Sequence, residues 1–407
     1  MSGALSGLKV LDFSHLLFGP FAAQMLGDLG ADVIKVERHE RGDLFREIPP
    51  FFNQKVGGIE NPSFLAWNRN KRSLSVDMKH PDGKAILLEL AEKADVILQN
   101  FRPGVIEKLG FGYDALSRNN PGLIYCSGSG YGESGPYLAR PGQDLLLQGL
   151  SGLMSVTGRA DMSPTPLGVS IADQLGSYHM VYGVLAALHH RNRTGRGQKI
   201  EVDLLRALLA HQMQEFVTIL NTGNRFKRPR SGIAHPGMPA PFGTYRTADG
   251  FLNIAMNPFP TLCEALEAPD LLHFNDPAML FDRRDEVHAA IEAVTVQETT
   301  DHWMRRLLTF DLWCGEVVDQ ADVPQDPQVR HMQAFTSVAH PQIGDIQTVN
   351  VPITFSETPG AVRRHPPSVG EHTREILREM GRSEPEIDQL LQSGAVFAPV
   401  AMAGSLP

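Results

Sequence analysis

Two aspartates, Asp144 and Asp173, stand where a carboxylate could act as a nucleophile. Asp173 lies near the start of the apolar stretch SIADQLGSYHMVYGVLAALHH, and Asp144 precedes the similar stretch LLLQGLSGLMSVTG. Either residue could simply cap the helix that follows it, because aspartate is a preferred N-cap residue. The positive end of a helix dipole would also keep Asp173 ionised and able to attack an electrophile. The local sequence leaves both roles open.

A second group of candidates follows strand-like segments and is mostly basic. His15 comes after LKVLDF and before a Gly-Pro helix start, and Arg38 follows VIKVE. Later segments add residues that we expect at the same edge: Lys71, Arg72, Lys79, Asn100, Phe101, Arg102, Lys108 and Arg140. Ligands of open α/β sheets bind at the carboxyl ends of parallel strands. Several cations at that edge favour a polyphosphate ligand, whose oxygens accept hydrogen bonds from Arg and Lys.

The elements that would position these residues alternate between strand and helix. LKVLDF, ADVIKVE, DVILQNF and GLIYCSGSGY are typical of strands, whereas FAAQMLGDLG and GKAILLELAEKA are typical of helices. This alternation predicts parallel βαβ units. Residues 174–192 and 205–222 are predicted as long helices on either side of the strand KIEVDL.

A change in composition suggests a second domain. The stretch NRFKRPRSGIAHPGMPAPFG is rich in proline, glycine and basic residues, as a linker or an active-site loop would be. After it, TYRTADGFLNIAM is typical of two strands joined by a turn. We expect residues 1–224 and 331–407 to form the larger domain and residues 225–330 to form the smaller one.

Composition excludes several classes of function. The chain has 407 residues, is 42% hydrophobic and carries a net charge of −9, which argues against nucleic acid as a partner. Its three cysteines form no CxxC pair, so the sequence predicts neither a zinc site nor a disulfide framework. No apolar run approaches the roughly 18 uncharged residues needed to span a bilayer, and no signal peptide is evident, so we expect a cytoplasmic protein without membrane contact. SGSGYG leads into a proline-containing loop instead of a helix, which argues against NAD.

Over nearly its whole length the sequence resembles the class III CoA-transferases, which include formyl-CoA transferase, L-carnitine CoA-transferase and, as a divergent branch, α-methylacyl-CoA racemase. The resemblance is carried by ordered blocks: GLKVLDFSHLLFGPFAAQMLGDLGADVIKVER, NKRSLSVDMKHPDGK, ADVILQNFRPGVIEKLGFGY, GLIYCSGSGYGESGPY, DLLLQGLSGLMSVTG, ADQLGSYHMVYGVLAALHHRNRTGRGQKIEVDLL and HPGMPAPFGTYRTADG. It implies a Rossmann-like large domain built from both ends of the chain, a smaller inserted α+β domain, and an interlocked homodimer.

The resemblance also implies a mechanism and a set of site residues. Asp173 matches the family's catalytic aspartate, and Asp144 matches an acidic position close to it. Acyl-CoA and a small carboxylic acid would be the substrates, with no metal and no tightly bound cofactor. Coenzyme A would be contacted by residues that match family positions one by one: His15, Leu16, Arg38, Val76, Lys79, Asn100, Phe101, Val105 and Lys108. Arg140, one of the strand-end cations, is a further candidate for the same ligand.

Three departures bear on the reaction. Gln143 stands where the racemase branch has a histidine of its acid/base pair, and glutamine cannot transfer a proton. Leu17 replaces a glutamine of the formyl transferases, and SGIAHPGMPAP replaces their tetraglycine loop. A bulkier, branched or dicarboxylic acid, bound partly through His235, is therefore a hypothesis. An acyl-CoA racemase or epimerase and a non-catalytic CoA-binding homologue remain as alternatives.

Overall fold

The computed structural model describes residues 3–399, and its strands and helices are numbered in chain order. The β-strands are β1 Lys9–Asp12, β2 Asp32–Arg38, β3 Lys71–Val76, β4 Val96–Gln99, β5 Ile124–Ser129, β6 Lys199–Asp203, β7 Gly243–Arg246, β8 Phe251–Ile254, β9 Cys314–Glu316, β10 Phe335–His340, β11 Gly344–Val349 and β12 Val396–Phe397.

The α-helices differ widely in length, and α8 is the longest of those in the described chain. They are α1 Phe18–Asp28, α2 Pro62–Trp67, α3 Pro81–Lys93, α4 Val105–Leu109, α5 Tyr113–Leu116, α6 Asp144–Leu150, α7 Leu153–Val156, α8 Ile171–Thr194, α9 Leu204–His211, α10 Met213–Thr222, α11 Phe259–Ala265, α12 Pro277–Asp282, α13 Arg284–Thr295, α14 Thr300–Thr309, α15 Pro327–His331, α16 Thr373–Glu379 and α17 Glu384–Gln392. Short 3₁₀ helices occupy Leu44–Arg46, Phe51–Asn53, Pro269–Phe274 and Val323–Gln325.

The described residues form two compact units. The larger unit contains the residues up to Leu147, Ser170–Leu208 and the residues from Pro327 onwards, and the smaller unit contains Gln148–Val169 and Leu209–Asp326. The domain division drawn from the sequence, with boundaries at residues 225 and 330, stays a prediction.

The larger unit is built on a seven-stranded sheet in the order β12-β3-β2-β1-β4-β5-β6. All neighbouring strands run parallel except β12, which pairs antiparallel with β3. The predicted parallel βαβ units are therefore confirmed. From β3 to β6 the strands follow a doubly wound order. Successive strands β1, β2 and β3 are added toward one edge of the sheet, and β4, β5 and β6 are added toward the other. This reversal between β1 and β4 opens a crevice at the carboxyl ends of those two strands.

The strand sequences explain why this sheet lies inside the unit. Every residue of β3 and of β4 is buried, as expected for parallel strands covered by helices on both faces. Side chains from the strands, from α3 and from the C-terminal helices form one apolar core that includes Leu74, Leu87, Ile97, Leu377 and Ile387. This core holds the carboxyl ends of the strands in fixed positions.

The smaller unit has its own sheet and its own core. Strands β7, β8 and β9 form an antiparallel sheet, and the β7–β8 hairpin confirms the prediction made for TYRTADGFLNIAM. Helix α13 contributes Val287 and Ile291 to the core, and α14 contributes Trp303 and Leu307.

The predicted single helix over 205–222 is wrong. The structure has α9 and α10 there, separated at Gln212, whose backbone angles (φ −97°, ψ 28°) leave the helical region. The apolar spacing continues across the break, so the pattern alone could not reveal it. Within residues 3–399, no helix combines the length and the apolar character needed to cross a bilayer.

Candidate active site

The loops after β1 and β4 meet at the reversal point of the large sheet. The Asn100 side chain accepts a hydrogen bond from the backbone N–H of His15 (2.9 Å) and donates one to the backbone carbonyl of the same residue (2.8 Å). The rings of His15 and Phe101 pack edge to face with their centroids 5.7 Å apart. The structure thus brings together three residues that the sequence predicted at this edge.

Asp173 is the third residue of α8 and does not cap that helix. Ser170 occupies the N-cap position, and neither side chain makes a capping hydrogen bond. The Asp173 carboxylate is half-buried, and among the described residues it has neither a hydrogen-bond donor nor a cation as a partner. The N-cap interpretation of Asp173 is therefore wrong, and its carboxylate is available for chemistry.

Asp144 does the capping that Asp173 does not. Its side chain is 7% exposed, and its Oδ1 accepts the N–H of Ala172 at 2.7 Å and that of Asp173 at 3.4 Å. Asp144 thus caps α8, a helix later in the chain, whereas its predicted role as the N-cap of the helix that follows it, α6, stays a prediction. A carboxylate on these N–H groups satisfies donors that have no partner within the helix.

The electrostatics of Asp173 differ from the sequence expectation. Burial raises the pKa of Asp173 to about 7, and the negative charge of Asp144 adds to the increase. The expectation that the helix dipole keeps Asp173 ionised is therefore wrong. The physical reason is first that burial removes water from the carboxylate, and second that Asp144 occupies the first-turn N–H groups and places a like charge beside them. Near neutral pH, Asp173 is poised between its acid and its carboxylate form.

Close packing between α8 and α1 sets the position of Asp173. The Ser177 hydroxyl donates to the backbone carbonyl of Phe18 at 2.6 Å. Gly176 faces the Phe18 ring so closely that a Cβ at this position would lie 2.5 Å from the ring carbon Cε2. Since α1 starts from the loop that carries His15, this contact connects α8, and with it Asp173, to the reversal point.

The other predicted CoA-contacting residues lie after the strands but are more dispersed. Arg38 ends β2 and forms an ion pair with Glu47 at 2.8 Å. Lys79 is exposed after β3, and Val105 and Lys108 are exposed on α4. Arg140 is exposed with its guanidinium carbon 3.7 Å from the centre of the Tyr137 ring. Leu16 follows His15, and its N–H donates to Asp43 at 3.2 Å.

Val76 differs from these residues in its surroundings. Its side chain is 1% exposed and belongs to the core of the larger unit. Contact of Val76 with an adenine stays a prediction, as do the ligand contacts of the other residues.

Two of the predicted edge cations lie elsewhere. Lys71 and Arg72 are the first residues of β3, at its amino end, and both are buried. Lys71 pairs with Asp12 at 3.0 Å and Arg72 pairs with Asp32 at 2.6 Å. Their assignment to the ligand-binding edge is wrong, because the strand begins at Lys71 and their charges are compensated within the protein.

His235 belongs to the smaller unit and already has partners on both ring nitrogens. Its Nε2 lies 3.0 Å from Glu215 Oε1, and its Nδ1 accepts the N–H of Gly237 at 3.0 Å. A role of His235 in binding an acid stays a hypothesis. In the described part of the chain, no group of three or more His, Cys, Asp or Glu side chains could hold a metal ion.

Sequence reasoning missed Asp43, a buried carboxylate beside His15. It lies in the loop after β2, with Lys35 Nζ 2.8 Å and His15 Nδ1 3.4 Å from its Oδ2. The one local signal in the sequence is that Asp43, within HERGDLFRE, stands directly before Leu44–Arg46, where an aspartate is a favoured N-cap of the short 3₁₀ helix.

Comparisons with known proteins agree on one family. The family model described as CoA-transferase family III matches residues 5–373. The chain is similar to mouse succinyl-CoA:glutarate CoA-transferase (35% identity over 401 residues, 96% of this chain and 90% of that protein). It is also similar to the succinate–glutarate CoA-transferase of Agrobacterium fabrum (36% identity, 92% and 95% coverage). A crystal structure of a CAIB/BAIF family protein from Brucella suis superposes with a TM-score of 0.83 at 33% identity, covering 93% of this chain and all of that one.

Proposed function

We propose, from the premise that this chain belongs to CoA-transferase family III, that it moves coenzyme A between two carboxylic acids through an aspartyl-CoA thioester on Asp173. The observation that carries the proposal is the Asp173 carboxylate itself. It stands half-buried at the start of α8 and, among the described residues, no cation or hydrogen-bond donor engages it. A carboxylate without a compensating partner is a better nucleophile than one held in an ion pair.

Each step of the exchange conserves charge and needs no metal or redox group. An Asp173 oxygen attacks the thioester carbonyl of the donor, the C–S bond breaks, and a mixed anhydride and CoA thiolate result. The thiolate attacks the aspartyl carbonyl, the donor carboxylate leaves, and Asp173 carries CoA as a thioester. The acceptor carboxylate attacks this thioester, the C–S bond breaks, and a second anhydride and CoA thiolate result. The thiolate then attacks the acceptor's acyl carbon and releases Asp173.

The surroundings of Asp173 support this chemistry. Asp144 holds the N–H groups of Ala172 and Asp173 in the resting enzyme. Its negative charge repels the ionised Asp173 carboxylate. This repulsion ends when Asp173 becomes a neutral anhydride or thioester. The like-charge pair therefore raises the energy of the ionised nucleophile relative to its acylated forms.

The substrates belong to the class of acyl-CoA thioesters and small dicarboxylic acids. Relatives from Mus musculus and Agrobacterium fabrum are named for succinate and glutarate, and a relative from Chloroflexus aurantiacus, 33% identical, is named for succinyl-CoA and D-citramalate. For this chain we take succinyl-CoA as donor and a C5 dicarboxylate as acceptor. Leu17, in place of the formyl transferases' glutamine, agrees with an acid larger than formate.

We further propose that the enzyme acts as an interlocked homodimer with a Rossmann-like large domain and an inserted smaller domain. Helix α8 is apolar on more than one face, since Met180 and Val184 are buried while Tyr178, Tyr182 and Leu185 are exposed. A helix with apolar residues all round is normally covered on all sides. A second copy of the chain is the partner that would cover this face.

Intact-protein mass spectrometry tests the nucleophile directly. The enzyme is mixed with succinyl-CoA without an acceptor, and peptides are mapped after brief digestion. We expect a CoA adduct on the peptide that contains Asp173, loss of the adduct in Asp173→Ala, and retention of the adduct in Asp345→Ala, which removes an exposed carboxylate of the larger unit. If wild-type enzyme that binds succinyl-CoA carries no adduct at any time point, the covalent mechanism is refuted.

One observation favours acyl-CoA epimerisation as a second candidate. A carboxyl group whose pKa is raised to about 7 is suited to removing and returning a proton at neutral pH. Incubation of a chiral 2-methylacyl-CoA in deuterium oxide, without any acceptor acid, separates the two activities. Deuterium at the α-carbon would support epimerisation, whereas its absence together with acceptor-dependent exchange supports transfer.

A further inference from the structure

A network of buried charges lies beneath the loop that carries His15. Asp43, Lys35, Asp12 and Lys71 all have side chains without solvent exposure, and they form the ion pairs Lys35–Asp43 (2.8 Å) and Lys71–Asp12 (3.0 Å). Lys35 also donates to the backbone carbonyl of Ser14 at 3.0 Å. Such charges are costly to bury unless they are paired, so their location under one loop calls for an explanation.

Asp43 is bonded to the loop through its Oδ1. This oxygen accepts the N–H of Leu16 at 3.2 Å and that of Phe45 at 2.9 Å. Leu16 has φ 66°, a left-handed conformation that is strained for a leucine. The hydrogen bond from Leu16 therefore stabilises a strained turn directly next to His15.

The other oxygen of Asp43 faces the His15 ring. In the described residues, two buried polar side-chain atoms lack a hydrogen-bond partner: His15 Nδ1 and Asp43 Oδ2. They lie 3.4 Å from each other. Lys35 Nζ lies 2.8 Å from the same Asp43 oxygen and forms an ion pair with it. A small rotation of the imidazole would bring His15 Nδ1 and Asp43 Oδ2 into a hydrogen bond.

We propose that Asp43 is a positioning residue that holds the His15 imidazole through Nδ1–H and so presents a lone pair on Nε2 to coenzyme A. The inference rests on the proposed function, because His15 is a position at which the family resemblance implies CoA contact. A neutral imidazole that donates from Nδ1 can only accept at Nε2. Nε2 would therefore accept a hydrogen bond from an amide N–H or a hydroxyl of the pantetheine arm.

The surrounding charges are balanced within the network. Burial opposes the Asp43 anion, but the nearby Lys35 ammonium holds the pKa of Asp43 well below its ordinary value. Lys35 Nζ, 2.8 Å from Asp43 Oδ2, supplies the positive charge that balances this carboxylate. Further charges in the same region are paired with each other, as Asp12 is with Lys71 and Glu37 is with Arg46. His15 itself is 14% exposed, and Nδ1 contributes nothing to that exposure.

A double-mutant cycle on CoA affinity, measured by calorimetry with CoA itself, tests the inference without requiring turnover. His15→Ala and Asp43→Asn should each weaken CoA binding by about tenfold, the size expected for one buried hydrogen bond. An asparagine amide would donate to Nδ1 and move the imidazole proton to Nε2. The combined variant should be about tenfold weaker than wild type, because both substitutions remove the same interaction. An additive loss of about 100-fold would overturn the inference.

Two controls separate positioning from a purely structural effect. Asp28→Asn removes another buried carboxylate of the larger unit, one that pairs with Arg69 and lies away from His15 and Asp43. It should lower the melting temperature as Asp43→Asn does but leave CoA affinity within twofold of wild type. If Asp43→Asn does not fold, the same cycle is run with Lys35→Met/Asp43→Asn, which removes both members of the ion pair. A wild-type protein that fails to bind CoA would instead refute the proposed function.

Discussion

At the scale of single residues, the two aspartates of the site, Asp144 and Asp173, differ in their hydrogen bonds. Asp144 is buried and hydrogen-bonded to the first turn of α8, whereas Asp173, on that same turn, has no such partner among the described residues. The difference arises from position, because the N–H groups that could stabilise Asp173 point to Asp144. Burial and the charge of Asp144 together raise the pKa of Asp173, the proposed nucleophile, which leads to two predictions.

The first prediction concerns the pH dependence of the first acyl transfer. Asp173 attacks only when ionised, so the single-turnover rate should rise with pH around a midpoint of about 7. Asp144→Asn removes the repulsive charge and should move this midpoint down by about one pH unit, while burial keeps it above the ordinary aspartate value. Asp144→Glu, which keeps the charge, serves as the control. A midpoint that is the same in Asp144→Asn and wild type would show that Asp144 does not act electrostatically.

The second prediction concerns stability. Burial and Asp144 raise the pKa of folded Asp173 to about 7 from 3.8, so the folded state loses stability as pH rises through that interval. At pH 8 the wild type contains a buried and uncompensated charge that Asp173→Asn lacks. The variant should be more stable at pH 8 by on the order of 2 kcal/mol, and the difference should vanish near pH 4.

Urea unfolding of both proteins at the two pH values measures this difference, and Asp345→Asn provides a matched exposed control. Equal midpoints for wild type and Asp173→Asn at pH 8 would contradict the burial of an uncompensated charge at this site.

The sequence could identify both aspartates as candidates but could not show which of them caps α8. The capping hypothesis followed from a preference that each shares, and only the fold shows that Asp144 caps α8 across the chain. Asp43 was missed for a related reason. Its importance depends on Lys35 and His15, which lie on other segments and whose proximity no local pattern encodes.

At the scale of elements, strand and helix periodicity predicted the parallel sheet well because each strand is a continuous buried run between helices. Periodicity could not locate the break at Gln212, where the apolar spacing persists although the backbone turns. It also placed Lys71 and Arg72 after a strand that in fact begins with them. These differences arise because an apolar pattern reports burial and does not mark the residue at which an element starts.

A third prediction tests how α8 positions the nucleophile. An alanine Cβ at Gly176 would lie 2.5 Å from Phe18 Cε2 and 2.9 Å from Leu204 Cδ2. Gly176→Ala should therefore push α8 away from α1, lower stability by about 1–3 kcal/mol and reduce kcat. Gly183→Ala on the same helix meets only the Ile200 side chain, at 3.1 Å from Cγ2 and 3.9 Å from Cδ1, and gains helix propensity of roughly 1 kcal/mol, so it is the control. Identical kcat and melting temperature for the two variants would refute this role of the α1–α8 contact.

At the scale of the whole molecule, each unit exposes apolar side chains on a long helix. Tyr182 on α8 of the larger unit is 61% exposed, and Leu220 on α10 of the smaller unit is 79% exposed. Exposed apolar residues that are scattered singly need no explanation, but rows along one helix are typical of interaction surfaces. Tyr178 and Leu185 accompany Tyr182 on α8, and Met213 and Val217 accompany Leu220 on α10.

The fourth prediction follows from these rows. Sedimentation velocity of the wild type should give a mass twice the 44.7 kDa of the chain, with no monomer at nanomolar concentration, because threaded chains cannot separate while folded. Tyr182→Lys places a charge in the proposed interface and should yield monomer or aggregate, whereas Asn192→Lys, at an exposed polar position of the same helix, should stay dimeric.

A Tyr182→Lys protein that is dimeric and as stable as wild type would exclude this face of α8 from the interface. A reversible monomer–dimer equilibrium in the wild type would retain dimerisation but exclude interlocking, since only a threaded pair requires unfolding to dissociate.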